Sequence, residues 1–369
     1  MIIAIKVTVL LLKILIKIRK DCFEDAKFKN SELKNYSRVL EKGNYMKKIA
    51  ILCSGGDCQG MNACIKAVAD TCHSNKIELI GINRGYQGLI ENDVRPLGKI
   101  DVANIETVAG AVIKTSRSPE FMTEEGFNKA IENLKLNGIE GLIVIGGNGS
   151  FRGCRDLVNA GVHVIGIPGT IDNDLFYTER SLGFDTAVQQ AVNTVTDIKQ
   201  TMYANDRAVV FKTMGRHCGD IALHAAVAVE ADSLAVNEID YSIQQIVDDV
   251  KNSMEHGVTS PVVMMSEGSK LDMEEIVYEL QSQLHISTRG IEIGYIQRGG
   301  EPTYYDRMLG VRWGVLAVQL LMQDMTNLAV GVKNDKIFTV PLIEVEHVLQ
   351  EFRVDMVNDL RTLHALPKL

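Results

Sequence analysis

Two aspartates two residues apart, Asp172 and Asp174, follow a glycine and a hydroxyl in the string Pro168-Gly169-Thr170-Ile171-Asp172-Asn173-Asp174. Carboxylates at that spacing suit two jobs. One can take a proton from an attacking hydroxyl. The other can hold Mg²⁺, which needs few protein ligands when phosphates supply the rest. An Asp/Asn-rich turn has the same composition, so the string alone does not decide between chemistry and a bend. Two glycine loops add to it: Ser54-Gly55-Gly56-Asp57-Cys58-Gln59-Gly60-Met61-Asn62 and Gly146-Gly147-Asn148-Gly149-Ser150. Glycines let backbone N–H groups approach phosphate oxygens, and each loop opens a helical pattern whose N-terminus favours anions. The first is not a Walker A loop, because Met61 rather than Lys follows Gly60. After the second, a dinucleotide site would want an acidic residue at the end of the next strand, where Gly166-Ile167-Pro168-Gly169 stands instead. A fourth loop, Met214-Gly215-Arg216-His217-Cys218-Gly219, offers Arg216 for a bidentate grip on phosphate. Glu267 ends another apolar run, and Arg298 lies in Gln297-Arg298-Gly299-Gly300. Singly, each of these is an ordinary turn residue; their shared position at strand ends is what points to a site.

The elements that must hold these loops follow one repeating arrangement from residue 46 onward. Short apolar runs rich in Ile and Val occupy 49–53, 79–82, 142–145, 162–167, 208–211, 262–265 and 291–293. Continuous apolar runs of this length suit parallel strands covered on both faces. Between them lie helical stripes, one formed by Met61, Cys64, Ile65, Val68, Ala69 and Cys72, another by Val188, Ala191, Val192, Val195, Ile198 and Met202. Both stripes are expected to be core faces without a chemical role. Alternating strands and helices predict a doubly wound α/β fold with mainly parallel sheets, in which ligands sit beyond the carboxyl ends of the strands.

The bulk numbers agree with an enzyme of that class. The chain has 369 residues, enough for two or three domains; 46% are hydrophobic and 23% charged. A net charge of −8 argues against a nucleic-acid binder, which would show a basic face. The seven Cys, at 22, 53, 58, 64, 72, 154 and 218, show neither C-x-x-C nor zinc-ligand spacing, so reduced cytosolic thiols are expected. Residues 1–45 differ from the rest, with ten Lys or Arg against five Asp or Glu. Their apolar run at 2–18 carries Lys6, Lys13 and Lys17, too short and too charged for a membrane span. Met46 begins a natural first strand, so 1–45 is expected to be a disordered arm or to lie upstream of the true start. A surface-lying amphipathic anchor is an alternative.

Together, in this order, the five motifs resemble ATP-dependent 6-phosphofructokinases of the bacterial type. The motifs are Ser54-Gly55-Gly56-Asp57, Gly146-Gly147-x-Gly149-Ser150, the 168–174 string, Met214-Gly215-Arg216 and Ile296-Gln297-Arg298-Gly299-Gly300. The resemblance implies two Rossmann-like domains: 46–183 with 297–347 binding ATP, and 184–296 with 348–369 binding the sugar phosphate. It implies Asp172 as the base acting on the 1-hydroxyl of fructose 6-phosphate, with Thr170 placing the phosphoryl group and Arg117 neutralising its charge. Gly56, Tyr86, Gly147, Asn148, Gly149 and Ser150 would lie around the nucleotide. Met214, Gly215, Arg216, Glu267, Tyr295 and Arg298 would hold the sugar phosphate. Arg207 and Arg289 would reach in from a neighbouring subunit of a cytoplasmic homotetramer. Mg²⁺ would sit at Asn148 and Asp174. Pyrophosphate-dependent relatives carry Asp at the position of Gly149 and Lys at that of Gly169; Gly at both favours ATP.

The chain departs from that pattern at three places. Asn148 stands where the family has an Asp of the Mg²⁺-phosphate arrangement, which removes a charge and leaves two alternatives: a working kinase that relies on Asp174, or an impaired paralogue serving as a ligand-binding or regulatory subunit. Tyr295 stands where the family has His. Lys66 and Asp70 stand where the family's first helix carries two arginines facing an effector phosphate, and the basic turn expected before residue 262 is His256-Gly257-Val258-Thr259-Ser260. Activation by ADP and inhibition by phosphoenolpyruvate are therefore expected to be weak or absent. Other kinases with a Gly-Gly-Asp-Gly loop lack the Thr-Ile-Asp-Asn-Asp and Gln-Arg-Gly-Gly elements, and a nicotinamide dehydrogenase ranks lower still.

Overall fold

A computed structural model describes residues 46–348 and 352–366; the expectations for 1–45 lie outside them. The first half of the chain supplies β1 (Lys48–Ser54), β2 (Glu78–Ile82), β3 (Val94–Pro96), β4 (Thr115–Ser116), β5 (Gly141–Gly146) and β6 (Val164–Pro168). Then come β7 (Ala208–Thr213), β8 (Ser233–Ala235), β9 (Val262–Ser266) and β10 (Thr288–Glu292), and finally β11 (Leu328–Lys333) and β12 (Lys336–Pro341). They form two sheets. The larger has the order β12-β11-β6-β5-β1-β2-β3, with β4 paired to the end of β1. Only its edge strands β3 and β12 run antiparallel to their neighbours. The smaller has the order β10-β7-β9-β8 and is parallel throughout.

All seven expected runs overlap strands, and those in β1, β2, β5, β6, β7 and β9 are covered on both faces as expected; the run 291–293 differs, because β10 ends at Glu292 and lies largely exposed at the edge of its sheet. Along β1, Ile49, Ile51 and Cys53 enter one apolar cluster while Ala50 and Leu52 enter another on the opposite face. The run expected to begin at residue 162 starts two residues later. Gly161 at φ +84° closes the preceding helix, and the Val162 N–H returns to the Leu157 carbonyl. The hairpin β11–β12 went unforeseen, as did the short strands β3, β4 and β8.

Among the described residues ten α-helices accompany the sheets: α1 (Met61–Ser74), α2 (Gly85–Glu91), α3 (Glu124–Leu136), α4 (Asn148–Asn159), α5 (Phe184–Tyr203), α6 (Asp220–Val229), α7 (Ile243–Glu255), α8 (Met273–Leu284), α9 (Tyr304–Met322) and α10 (Val354–Leu363). Every residue of the first expected stripe is buried on α1. Helix α9 packs tightly against α1 because two glycines on one face let the backbones meet. A Cβ at Gly310 would stand 2.9 Å from the Gly60 carbonyl oxygen, and one at Gly314 would stand 2.8 Å from that of Cys64. Among the described residues no helix is long and apolar enough to cross a membrane.

In the larger sheet the chain runs from β1 outward to β2 and then returns to β5 on the other side of β1. The order reverses between β1 and β5, so a crevice opens beyond their carboxyl ends. The loops there are the two glycine loops. In the smaller sheet the loops after β7, β9 and β10 carry Arg216, Glu267 and Arg298.

Candidate active site

Asp172 is the buried centre. It is 8% exposed, and its backbone N–H donates to Thr170 Oγ1 at 3.2 Å. Burial raises its pKa to about 6; Asp174 and Glu267 push in the same direction, while Arg298 and Arg216 oppose. Those interactions also locate the site, because the 168–174 loop, the β7 loop, Glu267 and Arg298 all lie within electrostatic reach of one carboxylate. Asn173 locks the turn between the two aspartates. It takes a left-handed backbone at φ +54°, donates to Asp220 Oδ2 at 2.9 Å and accepts from the Ser181 N–H at 3.1 Å.

The glycine loops meet side by side. Gly55 N–H donates to the Ser116 carbonyl oxygen at 3.0 Å, and Ser150 Oγ donates to that of Ser54 at 3.0 Å. Helix α4 starts at Asn148 with Gly147 as its cap, so the first N–H groups of α4 have no partner within the helix. Gly149 opens outward: an added Cβ would find nothing nearer than an Arg152 nitrogen at 3.9 Å. Gly169 is closed in, since its Cβ would stand 2.7 Å from Ile145 Cγ2. Tyr86 supports this loop from beneath. It is buried, stacks on Phe121, and its hydroxyl donates to the Ser150 carbonyl oxygen at 2.8 Å. Tyr86 and Ser150 therefore shape the loop through internal bonds. Arg117 is exposed just past β4, and among the described residues its side chain forms no ion pair.

Asn148 Nδ2 donates to the Asp174 carbonyl oxygen at 3.1 Å. Burial raises the Asp174 pKa, with Asn148, Arg216 and His217 pulling it back. Among the described residues no group of three or more His, Cys, Asp or Glu converges to hold a metal ion unaided. A divalent cation fits here only with phosphate oxygens completing its shell. The Asp174 carboxylate would take a cation in its desolvated setting, and Asn148, with Nδ2 committed, has Oδ1 to offer.

The sugar-phosphate candidates divide. Glu267 Oε1 accepts the N–H of Gly215 at 3.1 Å and that of Arg216 at 2.6 Å, which organises the β7 loop. Met214 N–H donates to Gln297 Oε1 at 2.8 Å. Arg298 Nη1 donates to the Asp57 carbonyl oxygen at 3.0 Å and lies over Gly56. Tyr295 follows β10 on the same side but is 83% exposed. Arg207 and Arg289 are elsewhere. Arg207 immediately precedes β7, and Arg289 pairs with Val209 near the start of that strand. At about 3.3 Å per residue, β7 puts Arg207 roughly 20 Å, and Arg289 roughly 13 Å, from the strand end that leads to Arg216.

Sequence reasoning passed over several residues that hold this arrangement. Asp306 is fully buried on α9 and accepts from Gly183 N–H and Thr186 N–H at 2.9 Å each, fixing the start of α5. Thr303-x-x-Asp306 is readable as a local cap, and Thr303 Oγ1 does accept the Asp306 N–H at 3.4 Å. The reach of that carboxylate to a distant helix has no sequence signal. Gln59, Asn62 and Gln297 likewise look like filler until their partners are seen.

The phosphofructokinase family model matches residues 48–321. The chain is 40% identical over 313 residues to the ATP-dependent 6-phosphofructokinase of Finegoldia magna, spanning 84% of this chain and 97% of that one. It is 40% identical over 307 residues to the enzyme of the same description from Clostridium tetani, spanning 83% and 96%. The solved structure of phosphofructokinase from Saccharomyces cerevisiae aligns at a TM-score of 0.75 and 30% identity over 81% of this chain. The present chain spans 45% of that yeast chain.

Proposed function

The chain belongs to the phosphofructokinase family, and from that premise we infer how its site performs the reaction. The protein is an ATP-dependent 6-phosphofructokinase. It transfers the γ-phosphoryl group of ATP to the 1-hydroxyl of fructose 6-phosphate, giving fructose 1,6-bisphosphate and ADP. The observation that carries the assignment of roles is the buried Asp172 carboxyl, with a pKa of about 6, within electrostatic reach of Arg298 and Arg216. At neutral pH it is ionised yet still basic enough to accept a proton, the balance a general base needs. Asp172 takes the proton as the 1-hydroxyl oxygen bonds to the γ-phosphorus and the bond to ADP breaks.

The remaining roles follow from position. The loops after β1 and β5 hold the nucleotide phosphates, Thr170 faces Gly147 across the crevice, and Arg117 is free to meet the transferred phosphoryl. Asp174 and Asn148, together with ATP oxygens, would hold Mg²⁺, which would supply charge neutralisation. Met214, Gly215, Arg216, Glu267 and Arg298 hold the sugar phosphate. The space outside Gly149 accommodates an α-phosphate, in keeping with ATP rather than pyrophosphate. This assigns 46–183 with 297–347 to ATP and 184–296 with 348–369 to the sugar phosphate. Arg207 and Arg289, at the far end of their sheet, serve the site of a neighbouring subunit in a homotetramer.

The test is Mg²⁺-ATP-dependent phosphorylation of fructose 6-phosphate by the purified chain beside Asp172→Asn. Turnover that falls by about 10²–10⁴-fold in the variant is expected. Equal turnover by both would remove Asp172 from the mechanism.

A further inference from the structure

Two glutamines with 0% exposed side chains join the nucleotide loop to the sugar-phosphate loops. Gln59, in the loop after β1, donates from Nε2 to the carbonyl oxygens of Gln297 at 2.9 Å and Gly299 at 2.6 Å. Gln297 in turn accepts the Met214 N–H on Oε1. Each amide can be oriented only one way. Turned over, Gln59 would set an oxygen against two carbonyls, and Gln297 would set an NH₂ against an N–H.

The other atom of each amide, Gln59 Oε1 and Gln297 Nε2, is buried without a hydrogen-bond partner among the described residues. An unpartnered buried polar atom is costly, and an apolar side chain of equal length would fill the space without that cost. The amides are therefore explained by what they hold, not by packing. What they hold is continuous: the glycine loop, Gln59, the 297–299 backbone carrying Arg298, Gln297, and the Met214–Arg216 turn ending on Glu267. The two ends are not equally dependent on it. The nucleotide loop is also anchored by Gly55 N–H to Ser116, Thr115 Oγ1 to the Gly55 carbonyl, and Ser150 to Ser54. Segment 297–299 has Arg298 Nη1 on the Asp57 carbonyl and the Gly299 N–H on the Ile296 carbonyl besides Gln59, and the Met214 N–H leans on Gln297.

We propose that Gln59 and Gln297 are positioning residues that set the sugar-phosphate loops against the nucleotide loop, so that losing either weakens fructose 6-phosphate saturation and spares nucleotide binding. The proposal rests on the reaction assigned above. Gln59→Met and Gln297→Met keep length and volume and remove the hydrogen bonds. Each is expected to raise KM for fructose 6-phosphate about tenfold. The Kd for Mg²⁺-ATP, measured by calorimetry on the full chain, is expected to stay within about twofold. The double variant is expected to be no worse than the worse single one, because both act in one relay. Gln59→Asn, which withdraws the same amide by one methylene, should reproduce the KM effect where Gln59→Met does not fold. An unchanged KM, additive effects, or equal losses for both substrates would overturn the proposal. Calorimetry with fructose 6-phosphate on the unaltered chain separates the two readings. Binding there with no change in the variants defeats the glutamine relay alone. Neither binding nor turnover there defeats the assigned reaction and the relay with it.

Discussion

Arg298 lies across Gly56. Its Nη1 donates to the Asp57 carbonyl oxygen at 3.0 Å, and a Cβ on Gly56 would overlap that same nitrogen. The φ of Gly56 is not among the positive ones, so this residue is glycine for space and not for backbone freedom. One guanidinium thus senses both the loop that takes the nucleotide and the carboxylate of Asp172.

Gly56→Ala is therefore expected to displace Arg298 with little effect on folding, since the far end of a flexible side chain gives way more easily than backbone. We expect kcat/KM to fall about 10–100-fold, the scale of a misplaced reacting group. The thermal midpoint should stay within a few degrees. Steady-state kinetics beside a melting curve checks this, and a large loss of stability would show that the glycine serves the fold instead.

Asp172 makes the rate depend on pH in a stated direction. With its pKa raised to about 6 in the free chain, kcat/KM should fall about tenfold per pH unit below 6 and level off above it. Stability moves the opposite way. The folded chain keeps this proton up to about pH 6 while the unfolded chain loses it near 3.8, so the contribution drops as pH rises through that window. Asp172→Asn should then gain up to about 3 kcal/mol at pH 7 and nothing below pH 4. Denaturant melts at the two pH values would show it; a loss at pH 7 would mean that the charged form is the stabilised one.

These contrasts trace what the sequence could disclose. The strands that position the site were legible because they are buried on both faces and so read as unbroken apolar runs; β1 and β5 are the clearest. The glycine loops and the 168–174 string were legible as strand-end turns. The hairpin β11–β12 was not, because only β11 is buried while β12 lies half-exposed at the edge, so no continuous run marks the pair. Nor was the placement of Tyr86, whose hydroxyl ends inside the fold. Residues that act over long separations, Asp306 on α5 and Gln59 on Gly299, carry no local pattern at all.

Asn148 is expected to limit the metal rather than the chemistry. Its amide is bonded to the Asp174 carbonyl, so Asp174 remains the only carboxylate of the pair. Asn148→Asp should lower the Mg²⁺ concentration for half-maximal activity about tenfold, as befits a second charged ligand. The unaltered chain should still turn over at saturating Mg²⁺. Activity that appears only in the Asp variant would favour a ligand-binding subunit over a working kinase.

Effector response should be weak. Lys66 Nζ sits 2.7 Å from Asp70 Oδ2 on α1, so its positive charge is already compensated. ADP and phosphoenolpyruvate are expected to shift half-saturation for fructose 6-phosphate less than about twofold, below the usual range of allosteric coupling. A shift of fivefold or more in saturation curves would overturn this.

The position of Arg207 and Arg289 makes the sharing of sites testable without any structure of the assembly. Roughly 20 Å of strand for Arg207 and roughly 13 Å for Arg289 separate them from the end of β7 that leads to Arg216, so they lie at the opposite end of the sheet from it. If they act in a neighbour's site, an Asp172→Asn chain and an Arg207→Ala/Arg289→Ala chain should each be poor, yet complement one another. In randomly mixed assemblies at equal ratio, a site drawing Asp172 from one subunit and both arginines from another is intact about a quarter of the time. Co-refolded mixtures assayed at low fructose 6-phosphate should therefore recover about a quarter of the unaltered activity. Mixtures that match the average of the two parents would show that the arginines do not act in a neighbour's site, because sites confined to single chains cannot be rescued by mixing.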